Sequence, residues 1–300
     1  MPSTIVVTDI HKSYGDVNAV DGVSFEVEQG EFLGILGPNG AGKTTTLEII
    51  EGLRRADSGQ VRVLGESPWP RNTKLLPRIG VQLQASSFFE RLTAREQINT
   101  FASLYGVPPA KADAMLETVG LVDKASTRTE NLSGGQAQRL SIACALVHDP
   151  EIVFLDEPTS GLDPQGRRNL WDLLRDINHQ GRTVVLTTHY MDEAEVLCDR
   201  VAVMDTGRIL EIGTPAALVR GLDAATRISV ESGALPVEEA TKLFPDAEVS
   251  DDGVSLTIAT RAPATVLSAL AERNALRGLS VKGATLEDVF LNLTGREYRA

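Results

Sequence analysis

The sequence predicts an α/β protein in which a mostly parallel sheet is followed by a smaller α+β domain. Short apolar runs, among them residues 152–155, 183–186 and 201–204, alternate with helical stretches over the first two thirds of the chain. Strands that alternate with helices are typical of a parallel sheet covered on both faces. After about residue 220 the order becomes strand, helix, two strands, helix and strand. The length of 300 residues fits one large domain plus a small one.

Two domains are therefore expected, residues 1–220 and residues 221–300. The larger one should contain a mainly helical subdomain at about residues 85–150, where Thr93 and Glu96 have the spacing of a capping box. In the smaller one, the order of elements is the split β-α-β pattern of ferredoxin-like domains.

Composition and charge narrow the classes of function. Hydrophobic residues make up 42% of the chain and charged residues 23%, which is a globular composition. No apolar run approaches the ~20 residues that span a bilayer, and the first residues lack a secretory pattern, so a membrane role is expected to depend on a partner. The formal net charge of −12 disfavours a nucleic-acid groove, and we expect no nucleic-acid partner. Cys144 and Cys198 are expected to be buried free thiols.

A glycine-rich stretch stands between a predicted strand and a predicted helix. Its residues satisfy the phosphate-loop pattern and are Gly37, Pro38, Asn39, Gly40, Ala41, Gly42, Lys43 and Thr44. The glycines permit torsions that aim backbone N–H groups at phosphate oxygens, and the following helix adds its positive end. Lys43 should reach the β- and γ-phosphates, and the Thr44 hydroxyl should bind Mg²⁺.

Two carboxylates follow a buried apolar strand. Asp156 is the last residue of the run Ile152–Asp156, and Glu157 directly follows it. In parallel sheets, ligands bind at the carboxyl ends of such strands. Asp156 is expected to hold Mg²⁺, through water, and Glu157 to polarise the attacking water as general base. An apolar strand entering a turn would give the same pattern, but the phosphate loop in the same chain favours the catalytic interpretation.

A second anion-binding site is predicted at Ser133, Gly134, Gly135 and Gln136. A Ser-Gly-Gly turn that opens a helix offers a hydroxyl, free N–H groups and a positive helix end. An ordinary capped helix start is the alternative for such a turn taken alone.

These motifs, in this order and spacing, resemble the nucleotide-binding subunits of ABC transporters over about residues 5–218. The resemblance implies a P-loop NTPase fold of the ABC ATPase type, with ATP and Mg²⁺ as cofactors. Residues 37–45, ending at Thr45, are similar to the Walker A loop, and residues 152–157 to the Walker B strand. Residues 132–136 are similar to the ABC signature.

The resemblance also assigns catalytic roles outside these motifs. Gln84 falls where the family has its Q-loop glutamine, which senses Mg²⁺ and the attacking water, with Gln82 as a competing position. His189 matches the switch histidine that touches the γ-phosphate, although a histidine at a strand end is often structural.

Two further residues are placed in the nucleotide site by resemblance. Asp163, in Ser160–Asp163, matches the D-loop. Tyr14 looks like the aromatic residue that stacks on adenine, and a surface tyrosine is the alternative. The family arrangement implies a head-to-tail pair, in which each ATP lies between Lys43 of one copy and residues 133–136 of the other.

The C-terminal end, Thr285 to Glu297, is similar to that of ATP-binding subunits in the daunorubicin-resistance-like branch of exporters. The branch implies export of a drug, antibiotic, lipid or glycoconjugate through a separate membrane permease. The chain would then sit on the cytoplasmic side of the membrane, peripherally, with the permease docking near Phe88 to Arg91. A regulatory ABC ATPase that acts outside transport is the alternative.

Overall fold

The computed structural model describes residues 3–82, 88–89, 91–222 and 224–295. The chain forms two compact units, with the division between Pro215 and Ala216. The predicted boundary between residues 220 and 221 lies slightly later in the chain. Among the described residues, no helix combines the length and the apolar character that crossing a bilayer requires.

The described part of the chain contains the strands and helices that follow, numbered in chain order. The strands are β1 (Ser3–Tyr14), β2 (Val17–Glu28), β3 (Phe32–Leu36), β4 (Ser58–Val63), β5 (Ile79–Gln82), β6 (Ile152–Asp156), β7 (Thr183–Thr188), β8 (Arg200–Asp205), β9 (Arg208–Gly213), β10 (Thr226–Glu231), β11 (Glu248–Asp251), β12 (Ser255–Thr260) and β13 (Ser280–Lys282). The α-helices are α1 (Lys43–Ile50), α2 (Ala94–Leu104), α3 (Pro109–Thr118), α4 (Gly134–Leu146), α5 (Pro164–His179), α6 (Met191–Leu197), α7 (Pro215–Gly221), α8 (Val237–Leu243), α9 (Pro263–Glu272) and α10 (Leu286–Thr294). Short 3₁₀ turns occur at Leu76–Arg78, Val122–Lys124 and Thr129–Asn131.

The first unit is built on a six-stranded sheet with the order β5-β6-β7-β3-β8-β9. All neighbouring strands run parallel except β8 and β9, which form an antiparallel edge. Every residue of β3, β6 and β7 is buried, because helices and a second sheet cover both faces. Asp156 pairs in register with Thr187, and Leu36 with Thr188, so the carboxyl ends of these three strands lie side by side.

A three-stranded antiparallel sheet, with the order β2-β1-β4, completes the first unit. Its strands β1 and β2 are long, because β1 pairs with β2 from Ser3 to Tyr14 through several register shifts. Apolar side chains of this sheet share one buried cluster with α1 and the parallel strands, among them Ile10, Val23, Leu47 and Phe154.

Helices α2, α3 and α4 form the helical region between β5 and β6. Thr93 caps α2 in a complete capping box with Glu96, as the spacing predicted. Helix α4 begins at Gly134, because Ser133 provides the N-cap.

The second unit is a four-stranded antiparallel sheet with the order β11-β12-β10-β13, with α8 and α9 in the connections. Its element order and strand order are those of a split β-α-β domain. Its core includes Ile228, Leu256, Ile258 and Leu270. Helix α10 starts after Thr285, whose side chain forms a capping box with Asp288.

Candidate functional site

The loop between β3 and α1 follows its course because glycine occupies two crowded positions. A Cβ atom on Gly37 would lie 2.1 Å from the carbonyl oxygen of Met204, and one on Gly42 would lie 2.1 Å from that of Ala19. Gly42 also has φ +102°, which favours glycine. Helix α1 begins directly after this turn and has no acidic residue of its own in its first turn, so the helix itself places no carboxylate at its positive end.

Lys43 is folded back over the loop that precedes it. Its ammonium group donates to the carbonyl oxygens of Gly37, at 2.8 Å, and Pro38, at 3.1 Å. It also forms an ion pair with Glu157 Oε1 at 3.1 Å, and both side chains are less than a tenth exposed. A buried charge requires such partners. A bound phosphate oxygen would therefore share the ammonium group of Lys43 with these oxygen acceptors.

Asp156, the last residue of β6, accepts two hydroxyl hydrogen bonds. Thr44 Oγ1 donates to its Oδ1 at 3.2 Å, and Thr187 Oγ1 donates to the same atom through a short bond. Burial raises the pKa of Asp156 most strongly, and the two hydroxyl bonds act in the opposite direction. The charge of Glu157 raises this pKa further and that of Lys43 lowers it.

Glu157 is held by its neighbours in a backbone conformation that is uncommon for its type, with φ +47°. Its N–H donates to Thr187 O at 3.2 Å and Thr187 Oγ1 at 3.0 Å. One carboxylate oxygen contacts Lys43, and the other lies 3.1 Å from Nδ1 of His189, at the end of β7. The structure therefore brings together Lys43, Thr44, Asp156, Glu157 and His189, as the sequence predicted.

A cleft lies over this cluster. Its lining residues are Tyr14, Ala19, Asn39, Gly40, Ala41, Gly42, Lys43, Thr44, Thr45 and Glu157. Tyr14 is 43% exposed, which leaves a ring surface open to a ligand. The Arg54 guanidinium carbon lies 5.4 Å from the centroid of this ring, within range of a cation–π contact.

The Ser-Gly-Gly turn lies outside this cleft. Ser133 caps α4 and forms a reciprocal capping box with Gln136, whose Oε1 accepts from Ser133 N at 3.0 Å. Ser133 and Gly134 are exposed, Gly135 is partly exposed, and the first turn of α4 carries no acidic residue. The two interpretations of this turn, a capped helix start and an anion-binding site, are therefore compatible, because a capped helix start also presents a positive end to solvent.

Some predicted positions fall elsewhere. Asp163 is exposed and caps α5, accepting from Gly166 N at 2.6 Å. Gln84 and Glu90 lie outside the described residues, whereas Gln82 is 1% exposed in β5. The ring of Phe89 lies 6.4 Å from that of Phe101 in α2, yet Phe89 is 54% exposed. Phe89 therefore packs against the helical region and also presents surface to solvent.

Sequence reasoning missed Thr187 and Arg54. Thr187 donates to the carboxylate of Asp156 and accepts from the backbone N–H of Glu157, and the signal for it was its position two residues before His189 at the end of a buried strand. Arg54 is brought to Tyr14 only by folding, since forty residues of sequence separate them.

Comparison with known proteins agrees with this geometry. A family model described as "ABC transporter" matches residues 20–160. The chain is 42% identical over 306 residues to Nod factor export ATP-binding protein I of Paraburkholderia xenovorans, covering 99% of both chains.

Two solved structures share the fold. One is cbiO1 from Clostridium perfringens, part of the ABC transporter complex cbiONQ, with 28% identity and a TM-score of 0.66 over 74% of this chain and 94% of that one. The other is a dimeric ATP-binding cassette in a post-hydrolysis state bound to ADP and Pi, with 28% identity and a TM-score of 0.64 over 70% of this chain and 98% of that one. The full-length relative, the family model and the fold together show that this chain belongs to the ABC transporter family, as an ATP-binding subunit that hydrolyses ATP.

Proposed function

We propose that the chain works as a head-to-tail pair that powers export through a separate membrane permease. The observation that carries the proposal is the buried cluster of Lys43, Asp156, Glu157 and His189 beneath an open cleft. Residues 133–136 do not line that cleft in the described part of the chain, yet they present a positive helix end to solvent. A second copy is the simplest way to bring such a helix end to the same nucleotide.

The cleft supports specific roles in ATP binding. Lys43 would bind the β- and γ-phosphates, and the backbone of residues 37–45 would cradle them. Tyr14 would stack on the adenine ring through its exposed face. Residues 133–136 of the second copy would bind the γ-phosphate from the opposite side, and Asp163 would contact the pair's interface.

The residues at the end of β6 fit a magnesium ion. Mg²⁺ prefers oxygen ligands and is usually bound by one or two carboxylates together with substrate phosphates and water. Thr44 Oγ1 and Asp156 Oδ1 supply hard oxygen donors 3.2 Å apart at the phosphate loop. Gln84 remains a proposed third contact. The ion would neutralise charge that develops on the transferring phosphoryl group.

Glu157 and His189 would carry the hydrolytic step. A carboxylate at this position can orient water and accept its proton, and His189 can hold the carboxylate through the 3.1 Å contact. In the structure, Lys43 forms an ion pair with Glu157 Oε1. ATP would draw the ammonium group of Lys43 toward its phosphates, which would release Glu157 Oε1 to act on water.

The direction and cargo rest on relatives and on the tail. The relatives' names assign them to Nod factor export, which favours export of a glycoconjugate here over an antibiotic or another lipid. The tail resemblance adds the daunorubicin-resistance-like branch as a finer proposal. The permease would dock near Phe88, Phe89 and Arg91, and would hold the chain at the cytoplasmic face of the membrane.

The dimer is tested with two variants of the purified chain. Glu157→Gln should lower turnover by about 10²- to 10⁴-fold, the range for a general base, while ATP still binds. In that background, ATP should drive dimer formation seen by light scattering, and Ser133→Arg should abolish it.

Thr285→Arg is the matched control, because Thr285 caps α10 in the same kind of capping box. It should leave ATP-driven dimers intact. Dimers that persist with Ser133→Arg, or full turnover with Glu157→Gln, would contradict the proposal. Failure of the chain to co-purify from membranes with a hydrophobic subunit would favour a regulatory ATPase instead.

A further inference from the structure

A groove beside the end of α1 combines arginine side chains with exposed apolar side chains. We call Leu53, Arg54, Arg55, Arg62 and Trp69 the Arg–Trp surface. Arg54, Arg55, Arg62 and Trp69 line one groove, and Leu53 directly precedes it in sequence. Residues 53–74 contain five cationic side chains and two carboxylates, in a chain whose formal net charge is −12.

Two carboxylates near this surface, those of Asp57 and Glu48, are already engaged in ion pairs. Asp57 accepts from Lys12 Nζ at 2.6 Å and from Ser13 N at 2.8 Å. The Lys12 bond is the largest cause of a lowered pKa at Asp57, and the charge of Arg55 contributes only after it. Arg54 pairs with Glu48 at 2.6 Å, in a contact that also fixes it near α1.

Two arginines of the surface keep their charge available. Arg62 donates to the carbonyl oxygen of Gly65 at 3.3 Å, which satisfies one N–H without neutralising the guanidinium. Within the described residues, neither Arg55 nor Arg62 forms an ion pair, and both are exposed. Their guanidinium groups can each bind a phosphate through paired N–H donors.

The apolar members of the surface are neighbours. A Cβ atom on Gly52 would lie 2.5 Å from the carbonyl oxygen of Pro68, so the two backbones touch at this point. Leu53 and Trp69, which follow these two residues, are 56% and 43% exposed. An exposed tryptophan beside arginines is the combination that favours the headgroup region of a bilayer, where the ring meets both apolar and polar groups.

We infer that the Arg–Trp surface binds the phosphate headgroups of an anionic lipid bilayer. The inference rests on the proposed function, in which a permease holds this chain at a membrane. Each cation contributes about fivefold to such binding, so Arg55 and Arg62 together contribute about 30-fold. Binding of this strength is weak by itself, because the anionic bilayer repels the acidic remainder of the chain. It suffices to orient a subunit that the permease already holds, with the end of α1 toward the bilayer.

The choice of a bilayer follows from the spread of the charges. Arg55 and Arg62 lie on different segments, one after α1 and one in β4, with Leu53 and Trp69 beside them. A flat array of phosphates can satisfy such dispersed donors while the apolar tips enter the interface. An acidic peptide would satisfy the arginines but would give the exposed tryptophan no apolar environment.

The inference is tested by sedimenting the full chain with vesicles of phosphatidylcholine, with or without phosphatidylglycerol, in the absence of nucleotide and permease. Binding is expected only with phosphatidylglycerol, and it should weaken as salt is raised. The variant Arg55→Glu with Arg62→Glu should bind at least about 30-fold more weakly. Lys111→Glu with Lys242→Glu makes the same charge change at exposed residues elsewhere and should bind like the unmodified chain.

Tryptophan fluorescence reports on the apolar part of the contact. Emission should shift to shorter wavelength on anionic vesicles, and Trp69→Phe should remove the shift, because Trp171 donates to Glu193 within the protein. Absent binding to anionic vesicles, or equal losses in both charge variants, would overturn the inference. Because no ATP is present, a failure here leaves the dimer and turnover experiments to judge the proposed function separately.

Discussion

Thr187 offers the most direct test of how the site holds its carboxylates. Its hydroxyl donates to Asp156 Oδ1 and accepts from Glu157 N at 3.0 Å, and the residue is fully buried. Thr187→Val keeps the shape of the side chain and removes the hydroxyl. Glu157 N retains the carbonyl oxygen of Thr187 at 3.2 Å, whereas Asp156 keeps only Thr44 as a hydroxyl donor.

From this geometry we expect a loss of folding stability and a loss of Mg²⁺ affinity. A buried acceptor that loses a partner costs about 1–3 kcal/mol of folding free energy. For a unit of this size, each 1 kcal/mol lowers the melting temperature by about 2–4 °C. Removing the hydrogen-bond partner of a metal-binding carboxylate lowers metal affinity by about 10- to 100-fold. The variant should therefore be moderately less stable and should bind Mg²⁺ clearly more weakly.

Thr183→Val is the matched control, because Thr183 is equally buried in the same strand and its hydroxyl accepts from Gly30 N at 2.9 Å. Thermal unfolding and the Mg²⁺ concentration that half-saturates ATP hydrolysis are measured for both variants. Both should melt earlier, but only Thr187→Val should need more Mg²⁺. Equal Mg²⁺ requirements in the two variants would show that Asp156 does not depend on this hydroxyl.

Two further predictions concern the phosphate loop and the helix that follows it. Gly42→Ala should abolish ATP binding measured by calorimetry, because the added Cβ meets backbone at 2.1 Å, whereas Gly40→Ala, with φ +82° but open space, should only weaken it; similar affinities in both would contradict the steric argument. Burial raises the pKa of Glu51 from 4.5 to about 8, and the charges of Asp156 and Glu48 contribute in the same direction. Between these pH values the folded chain keeps a proton on Glu51 that the unfolded chain has released. Folding stability therefore falls as pH rises through that window. Glu51→Gln should therefore melt higher than the unmodified chain at pH 8 and lose that advantage near pH 4.5; a difference independent of pH would refute the assignment.

The parts of the fold that sequence predicted are those with local causes. The phosphate loop follows from glycine torsions, and Thr93 with Glu96 starts α2 through contacts three residues apart. The strand ends at Asp156 and His189 follow from apolar runs, since parallel strands end at one edge of the sheet. Each of these signals is contained within a few consecutive residues.

What the sequence did not predict depends on distant partners. The length of β1 is set by its pairing with β2 and β4, which extends through polar residues such as His11 and Lys12. Thr187 looked like an ordinary β-branched strand residue, and only the register beside Asp156 makes it a partner of the site. The contact of Arg54 with Tyr14 likewise arises from packing of α1 against the antiparallel sheet.

The ion pair between Lys43 and Glu157 explains why one chain alone should hydrolyse ATP slowly. Both groups are buried, and at 3.1 Å their attraction is about 5 kcal/mol at an effective dielectric constant of about 20, before desolvation is subtracted. The oxygen that Glu157 shares with Lys43 is occupied and is not free to contact water. ATP can compete with Glu157 for Lys43 only through its negatively charged phosphates. Those phosphates are best stabilised when the positive helix end of the second copy also contacts them. In the proposed mechanism, binding and base release are thus one event, which dimer closure completes.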